Sequence, residues 1–169
     1  MSLVLIQAQV LSASASSVTF SATPQTFKTL KLVISARNDN SGFSQNLYLQ
    51  FNGSAAANYS WRLLYGYSGT AGSQSGSAQT SMQVGVQTGA GATASTFDST
   101  VIDIPNYAGS MSKAVSADNV SENNSSTLYQ DNLVAGLWSN TAAIASITLF
   151  PGTSASIVAG SSFYLYGLS

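Results

Sequence analysis

The sequence contains neither cysteine nor histidine. Without them the chain has no disulfide, no zinc site with Cys or His ligands, and no nucleophile that a histidine activates. Charged residues are also scarce, at 7% against about 25% in an average soluble domain. Five basic and six acidic side chains give a net charge of −1, so no basic surface is expected to hold nucleic-acid phosphates. Composition therefore predicts a structural or binding module that is not an enzyme and binds no nucleic acid.

Long apolar runs are absent as well. No segment approaches the about 18 apolar residues that span a membrane, so we expect no membrane partner. The N-terminal segment Met1–Ala15 has an apolar stretch followed by small residues, which superficially suits a signal peptide. However, no Lys or Arg precedes that stretch, and Gln7 and Gln9 interrupt it. Its residues also alternate between two faces, which favours a first β-strand over a cleaved signal.

The remaining pattern is one of short strands and turns in a chain that is 44% hydrophobic. β-branched and aromatic residues dominate the apolar runs, and no window has apolar residues at helical spacing. About ten strands at roughly fifteen-residue spacing predict one antiparallel β-sandwich or barrel domain over residues 1–169. After the N-terminal strand, the predicted strands are Phe27–Arg37, Leu47–Phe51, Tyr59–Tyr67, Met82–Val86, Phe97–Ile104, Met111–Ala117, Leu133–Trp138, Ala142–Phe150 and Phe163–Leu168.

Small and polar residues separate these strands. Gly66–Ala78 and Gly89–Ser95 are rich in Gly, Ser and Ala, and we predict that both are long, mobile loops. Ala117–Thr127 is the most polar stretch and is predicted to be an exposed tip. None of these segments divides the chain into halves of different composition, so the sequence indicates no domain boundary.

Several short motifs suggest chemistry, but each has a plainer interpretation. Asn38–Gly42 and Asp118–Asn123 carry oxygen ligands for a cation but fit ordinary turns, and Asn38–Gly42 lacks the bidentate glutamate of a calcium loop. Gly89–Ala94 loosely fits a dinucleotide fingerprint, yet the following residues do not predict the helix that this motif requires. Asp98 and Asp103 are an odd number of residues apart, so they face opposite sides of one strand and cannot flank a glycosidic bond. We therefore predict no catalytic residue, cofactor or metal.

Aromatic residues offer two further candidate surfaces. Trp61, Tyr65 and Tyr67 share one face of a strand, where they form either a packing surface or a platform on which a sugar ring can stack. The C-terminal strand is apolar on both faces, so its second face is expected to meet another sheet or a neighbouring subunit. The predicted contact residues on this strand are Phe163 and Leu165 on one face and Tyr164, Tyr166 and Leu168 on the other.

The order of several segments along the chain is more distinctive than any single motif. These segments are FSATPQTFKTLKLVISAR (20–37), YLQFNGSAAANY (48–59), STVIDIPNYAG (99–109), GLWSNTAAIASITLF (136–150) and AGSSFYLYGLS (159–169). Together they resemble a family of small virion structural proteins of tailed bacteriophages, common among phages of cyanobacteria and marine bacteria. The most distinctive parts are the P-Q-T-x-K-x-L-x-L strand, the I-D-I-P-N-Y-A segment and the C-terminal Leu-Tyr-Gly-Leu. The resemblance covers nearly the whole chain and brings no functional site with it.

The resemblance implies a capsid decoration protein or a small fibre or tail component. A jelly roll is a common solution for virion subunits, and a weakly charged surface suits association that salt does not screen. We therefore expect a jelly-roll-like sandwich that forms a homotrimer in the virion, bound to the major capsid protein or another virion protein outside the capsid. The alternative is a tail-fibre tip that recognises host cell-surface glycan through Trp61, Tyr65 and Tyr67. A fibre tip normally needs an attachment segment, whereas this chain enters a strand at once, which favours decoration.

Overall fold

The computed structural model describes residues 2–152 and 154–169, and these residues form twelve β-strands and no helix. The all-β prediction is confirmed. The strands are β1 (Leu3–Val10), β2 (Val18–Phe20), β3 (Thr29–Ser35), β4 (Ser44–Phe51), β5 (Tyr59–Tyr67), β6 (Thr70–Gln79), β7 (Met82–Thr88), β8 (Ser99–Pro105), β9 (Lys113–Ser121), β10 (Gln130–Trp138), β11 (Ile147–Pro151) and β12 (Ser162–Leu168).

Two antiparallel sheets pack face to face, so the predicted β-sandwich is also confirmed. The large sheet has eight strands in the order β1-β12-β3-β8-β9-β10-β5-β6, and the small sheet has four in the order β2-β11-β4-β7. Alternate residues of each sheet meet in a common core, where Leu32, Ile102 and Phe163 of the large sheet and Leu49 and Ile147 of the small sheet are fully buried. Each such side chain contributes about 1.5–3 kcal/mol through removal of apolar surface from water.

The prediction that Gly66–Ala78 is a loop is wrong, because strand β6 occupies most of it and pairs with β5. The glycines of β6 are needed for packing. A Cβ on Gly72 would lie 2.5 Å from ring atoms of Tyr65, and a Cβ on Gly76 would lie 2.7 Å from those of Trp61. The aromatic rings of β5 thus lie across the glycines of β6, a cross-strand arrangement that stabilises glycine-rich edges. Here the small residues belong to a strand that aromatic rings of β5 cover, and not to a linker.

Other element boundaries also differ from the predicted ones. The predicted tip Ala117–Thr127 begins too early, because β9 continues to Ser121. The predicted strand Met111–Ala117 also begins too early, because β9 starts at Lys113. The inward residues of β9 include Asn119 and Ser121, so polar side chains hide the alternation that normally reveals a strand. The predicted strand Ala142–Phe150 shrinks to the five residues of β11, and the three-residue β2 was not predicted.

The loop Gly89–Ser95 is folded around a buried arginine. The guanidinium of Arg37 donates hydrogen bonds to the carbonyl oxygens of Ala90, Ala92, Thr93 and Thr96, at 2.8–3.4 Å. Arginine presents five donors in a fixed planar arrangement, so one side chain can bind the carbonyl oxygens of several loop residues at once. These bonds tie down the segment that was predicted to be mobile.

Asn119 joins the two sheets. This fully buried side chain of β9 accepts a hydrogen bond from the amide of Val86 and donates one to the carbonyl of Val86, both at 2.9 Å. It therefore bonds to the edge strand β7 as a neighbouring strand would. The same amide donates to Thr100 at 2.6 Å and accepts from Asn132 at 2.7 Å. Gly85 has a φ of +146° beside it, and a Cβ there would clash with the Asn119 side chain.

A pair of substitutions tests this role of Asn119. Asn119 and Gln87 are both buried amides, but both polar atoms of the Gln87 side chain lack a hydrogen-bond partner. We expect Asn119→Leu to lower the free energy of unfolding by about 2–4 kcal/mol, because several buried groups lose their partners. Gln87→Met should raise it by about 1–2 kcal/mol, since no bond is lost. Urea unfolding measures both, and changes of the same sign would contradict the assignment.

Candidate functional site

The C-terminal strand lies inside the large sheet, between β1 and β3. Phe163 and Leu165 point into the core and are fully buried, so they contact the small sheet and are closed to a partner molecule. Tyr164, Tyr166 and Leu168 alternate with them and lie on the opposite, partly exposed side. The predicted contact residues therefore lie on two sides of the sheet. Only Tyr164, Tyr166 and Leu168 are accessible to a partner molecule.

That opposite side belongs to a broad surface, which we call the outer face: the side of the large sheet turned away from the small sheet. Leu64 of β5 and Leu133 of β10 stand directly opposite each other on it and are 61% and 56% exposed. They border a hollow of about 550 Å³ that also includes Ala135 and Ser116. Further exposed apolar residues on this face are Val120 and Leu137 beside the hollow, and Leu3 and Leu5 near Tyr166.

The outer face carries charged residues of both signs. Lys31 and Asp103 form a 2.9 Å ion pair across β3 and β8, the only one in residues 2–152 and 154–169. Arg62, Asp118 and Asp131 also lie on this face, and none of them has an ion-pair partner within the described part of the chain. The outer face therefore carries two groups of exposed apolar residues, one around Leu133 and one around Leu3 and Leu5, together with unpaired charges of both signs.

A second surface lies on the inner side of the large sheet. Strands β9 and β10 cover β7, the edge of the small sheet, and the hairpin β5–β6 extends beyond it. Between this hairpin and β7 runs a groove of about 300 Å³, which we call the β7 groove. No charged side chain lines it. Its lining residues are Ser44, Asn46, Tyr65, Tyr67, Gln74, Gln83, Val86 and Gln130.

The β7 groove brings together two of the three aromatic residues predicted for a sugar platform. Tyr65 and Tyr67 line it, and Tyr67 is 39% exposed with its ring 6.3 Å from that of Phe43. Trp61 does not line it, and its ring lies against Gly76 with the indole nitrogen buried and unpartnered. Sequence reasoning missed the amide side chains of the groove, which come from β4, β6, β7 and β10.

A chain of hydrogen bonds connects the β7 groove to a buried carboxyl group. Asn132 accepts a 2.9 Å bond from the Gln130 side chain and donates to Asn119, which in turn donates to Thr100. The Thr100 hydroxyl donates to Asp98, and the Ala36 amide donates to the other Asp98 oxygen at 2.6 Å. Burial raises the pKa of Asp98 well above 3.8, although these two hydrogen bonds act to lower it. Asp103 lies on the outer face, so the two carboxyl groups do not share a site.

The two oxygen-rich segments use their oxygens within turns. Asn40 and Gly42 donate backbone hydrogen bonds to the side chains of Asn38 and Asn40, and Asp39 accepts one from Ser156. Asp118 is on the outer face whereas Asn119 points inward, so that segment does not converge on one point. In the described ranges no three carboxylates come together as metal ligands, and no helix there is long and apolar enough to cross a membrane.

Comparison with known proteins adds no family. No protein-family model matches the sequence, and no curated protein matches it. The resemblance to phage virion proteins therefore stays a prediction, and the functional argument depends on the two surfaces described above.

The raised pKa of Asp98 predicts a specific pH dependence. Unfolded, this carboxyl titrates near 3.8, and folded it titrates higher, so its contribution to stability is complete below 3.8. That contribution is lost as the pH rises through the folded pKa. Asp98→Asn keeps an acceptor for Ala36 and cannot ionise, so the variant should gain stability relative to wild type as the pH rises from 4 to 8.

Urea unfolding at a series of pH values measures this difference. Glu122→Gln serves as the matched control, because Glu122 is exposed and lies between β9 and β10, away from the outer face. Its curve should run parallel to that of the wild type. A parallel curve for Asp98→Asn would show that the buried carboxyl does not titrate differently on folding.

Proposed function

We propose that this protein is a structural subunit of a phage virion, of the capsid decoration type, and that it forms a homotrimer through the outer face. The observation that carries the proposal is that no other part of the described chain covers the apolar outer face. Monomeric proteins rarely expose contiguous apolar surface of this kind unless it contacts a partner. The resemblance supplies the virion as the setting, and the trimer accords with the symmetric assembly of most homo-oligomers.

The strand order supports a jelly-roll assignment within this proposal. Leaving out the hairpins β5–β6 and β9–β10, the remaining strands form two sheets of four, in the orders β1-β12-β3-β8 and β2-β11-β4-β7. Six of the seven successive connections among these eight strands cross from one sheet to the other, as in Greek-key sandwiches. The connection from β4 to β7 stays in one sheet. We infer that this eight-strand frame is a jelly roll, a fold common in viral capsids.

We assign the outer face to a second copy of the same chain, because its charges complement each other. Arg62 lies near the hollow around Leu133, while Asp118 and Asp131 flank Leu133 on the neighbouring positions of β9 and β10. Around a three-fold axis, one part of this face meets a different part on the next copy. The Arg62 side of one copy can then meet the Asp118 and Asp131 side of the next without like charges meeting. Its apolar residues would supply most of the association energy and the charges would fix the orientation.

The remaining surface is available to the capsid. Hydroxyl and amide groups dominate it, since only 7% of the chain is charged. Binding to the major capsid protein through such groups depends little on salt, because there is little charge to screen. Locating this chain in a density map of the intact virion tests the setting directly. Density for trimers on the outer capsid surface is expected, and density confined to the tail would contradict the decoration role.

The trimer itself is tested by light scattering. In both low and high salt we expect a mass about three times 17.4 kDa, because an apolar contact is not screened by ions. Leu133→Glu places a further carboxylate beside Asp118 and Asp131 in the hollow of the outer face, and it should convert the protein to monomers with an unchanged circular dichroism spectrum.

The matched control is Leu128→Glu. Leu128 is exposed but lies between β9 and β10, outside both sheets, so this variant should remain trimeric. A wild-type monomer at micromolar concentration in both buffers would contradict self-association. An equal loss of mass in both variants would show that the outer face is not the contact.

A further inference from the structure

The β7 groove contains polar atoms that are held in place but not used by the protein. Gln83 is 98% buried, and its side-chain nitrogen donates to Asn46 at 3.2 Å. Its side-chain oxygen accepts no hydrogen bond from any described residue. This oxygen is not enclosed by the protein, so it can accept a hydrogen bond from a ligand that enters the groove.

Gln130 repeats this arrangement on the other side of the groove. Its nitrogen donates to Asn132, which fixes the amide plane, while its oxygen has no donor within the described ranges. Gln130 stands directly opposite Tyr67 in the pairing of β10 with β5. Both amides are thus oriented by bonds to the protein fold before any ligand arrives, which lowers the entropy cost of binding.

The aromatic residues provide an apolar wall beside these acceptors. Tyr65 and Tyr67 are two residues apart on β5, so both rings are on the groove side, and neither hydroxyl bonds to a described residue. Tyrosine presents a flat apolar body with a polar end, which suits a ligand that has an apolar face edged by hydroxyls. The volume of about 300 Å³ is at the small end of ligand sites, so it suits a short segment of such a ligand.

The chemistry of the lining limits the class of ligand. With no charged side chain in it, the β7 groove offers nothing to balance a phosphate, sulfate or carboxylate. Amide oxygens that lack donors call for hydroxyl or N–H groups on the ligand. An uncharged molecule with many hydroxyls and an apolar face meets all of these conditions.

We propose that the β7 groove binds a neutral saccharide. Tyr65 and Tyr67 contact the apolar face of a sugar ring, while the side-chain oxygens of Gln83 and Gln130 accept hydrogen bonds from its hydroxyls. The site is on the opposite side of the large sheet from the outer face, so the trimer leaves it open. The saccharide proposal can therefore be tested independently of the proposed trimer. It also assigns specific residues to the glycan-binding alternative.

The test is a titration of the ¹⁵N-labelled protein with neutral oligosaccharides of glucose, galactose, mannose and N-acetylhexosamines, and with a sulfated oligosaccharide. At about 10 mM, ten times a dissociation constant of 1 mM, at least one neutral sugar should shift the signals of residues lining the groove. The sulfated one should not bind more tightly. No shift with any neutral sugar would overturn the proposal, and so would tighter binding of the sulfated one.

Two variants connect binding to the groove. Gln83→Met keeps the side-chain volume but removes the acceptor, and Tyr67→Ala removes part of the aromatic wall; each should weaken binding about tenfold. The matched control Gln79→Met changes an exposed glutamine on β6 that does not line the groove, and it should bind as wild type does. Thermal melts establish that each variant is folded. Unchanged affinity in both folded groove variants would place the sugar elsewhere and overturn the proposal.

Discussion

The bond between Asn119 and β7 is the constraint on which the rest of the architecture depends. An edge strand leaves backbone groups unpaired, and burying them without partners is costly. All seven residues of β7 are buried, yet β7 is the edge of its sheet. The side chain of Asn119 meets this requirement by pairing with Val86 across the gap between the sheets. The position of β7 beneath β9 and β10 follows from it, because only there can the amide reach the edge.

The two candidate surfaces arise from the unequal width of the sheets. Eight strands face four, so the small sheet ends at β7 while the large sheet continues through β5 and β6. The inner side of this extension has no sheet opposite it, and the β7 groove forms there. Its outer side continues the apolar surface around Leu64 and Leu133. One hairpin thus contributes to both surfaces, one lined by neutral polar groups and the other mainly by aliphatic side chains.

How much of the fold could be predicted depends on how clearly apolar and polar residues alternate along each strand. Strands β3, β8 and β12 were recognised because their inward residues are large and apolar, as in Leu30, Leu32 and Ile34. Strand β6 was missed because its glycines are covered by rings from β5, a relation that exists only between paired strands. Tyr65 and Tyr67 could be placed on one face from their spacing, but their approach to Gln83 depends on β4 and β7 packing beside the hairpin. Amide residues are too common in this sequence for any one of them to stand out.

Charged residues are few in both the interior and the surface of this protein. Of the few charged residues, Arg37 and Lys113 are buried and donate to backbone carbonyls, with Lys113 bonded to Gly109 at 2.7 Å and to Met111. Desolvation lowers the pKa of Lys113, and no described carboxylate offsets it. Charges that hold loops in place cannot attract partners over a distance, so the proposed association relies mainly on apolar contact. The proposed recognition of a saccharide likewise depends on shape and on hydrogen bonds whose geometry is set in advance, as the neighbours of Gln83 and Gln130 orient these two amides.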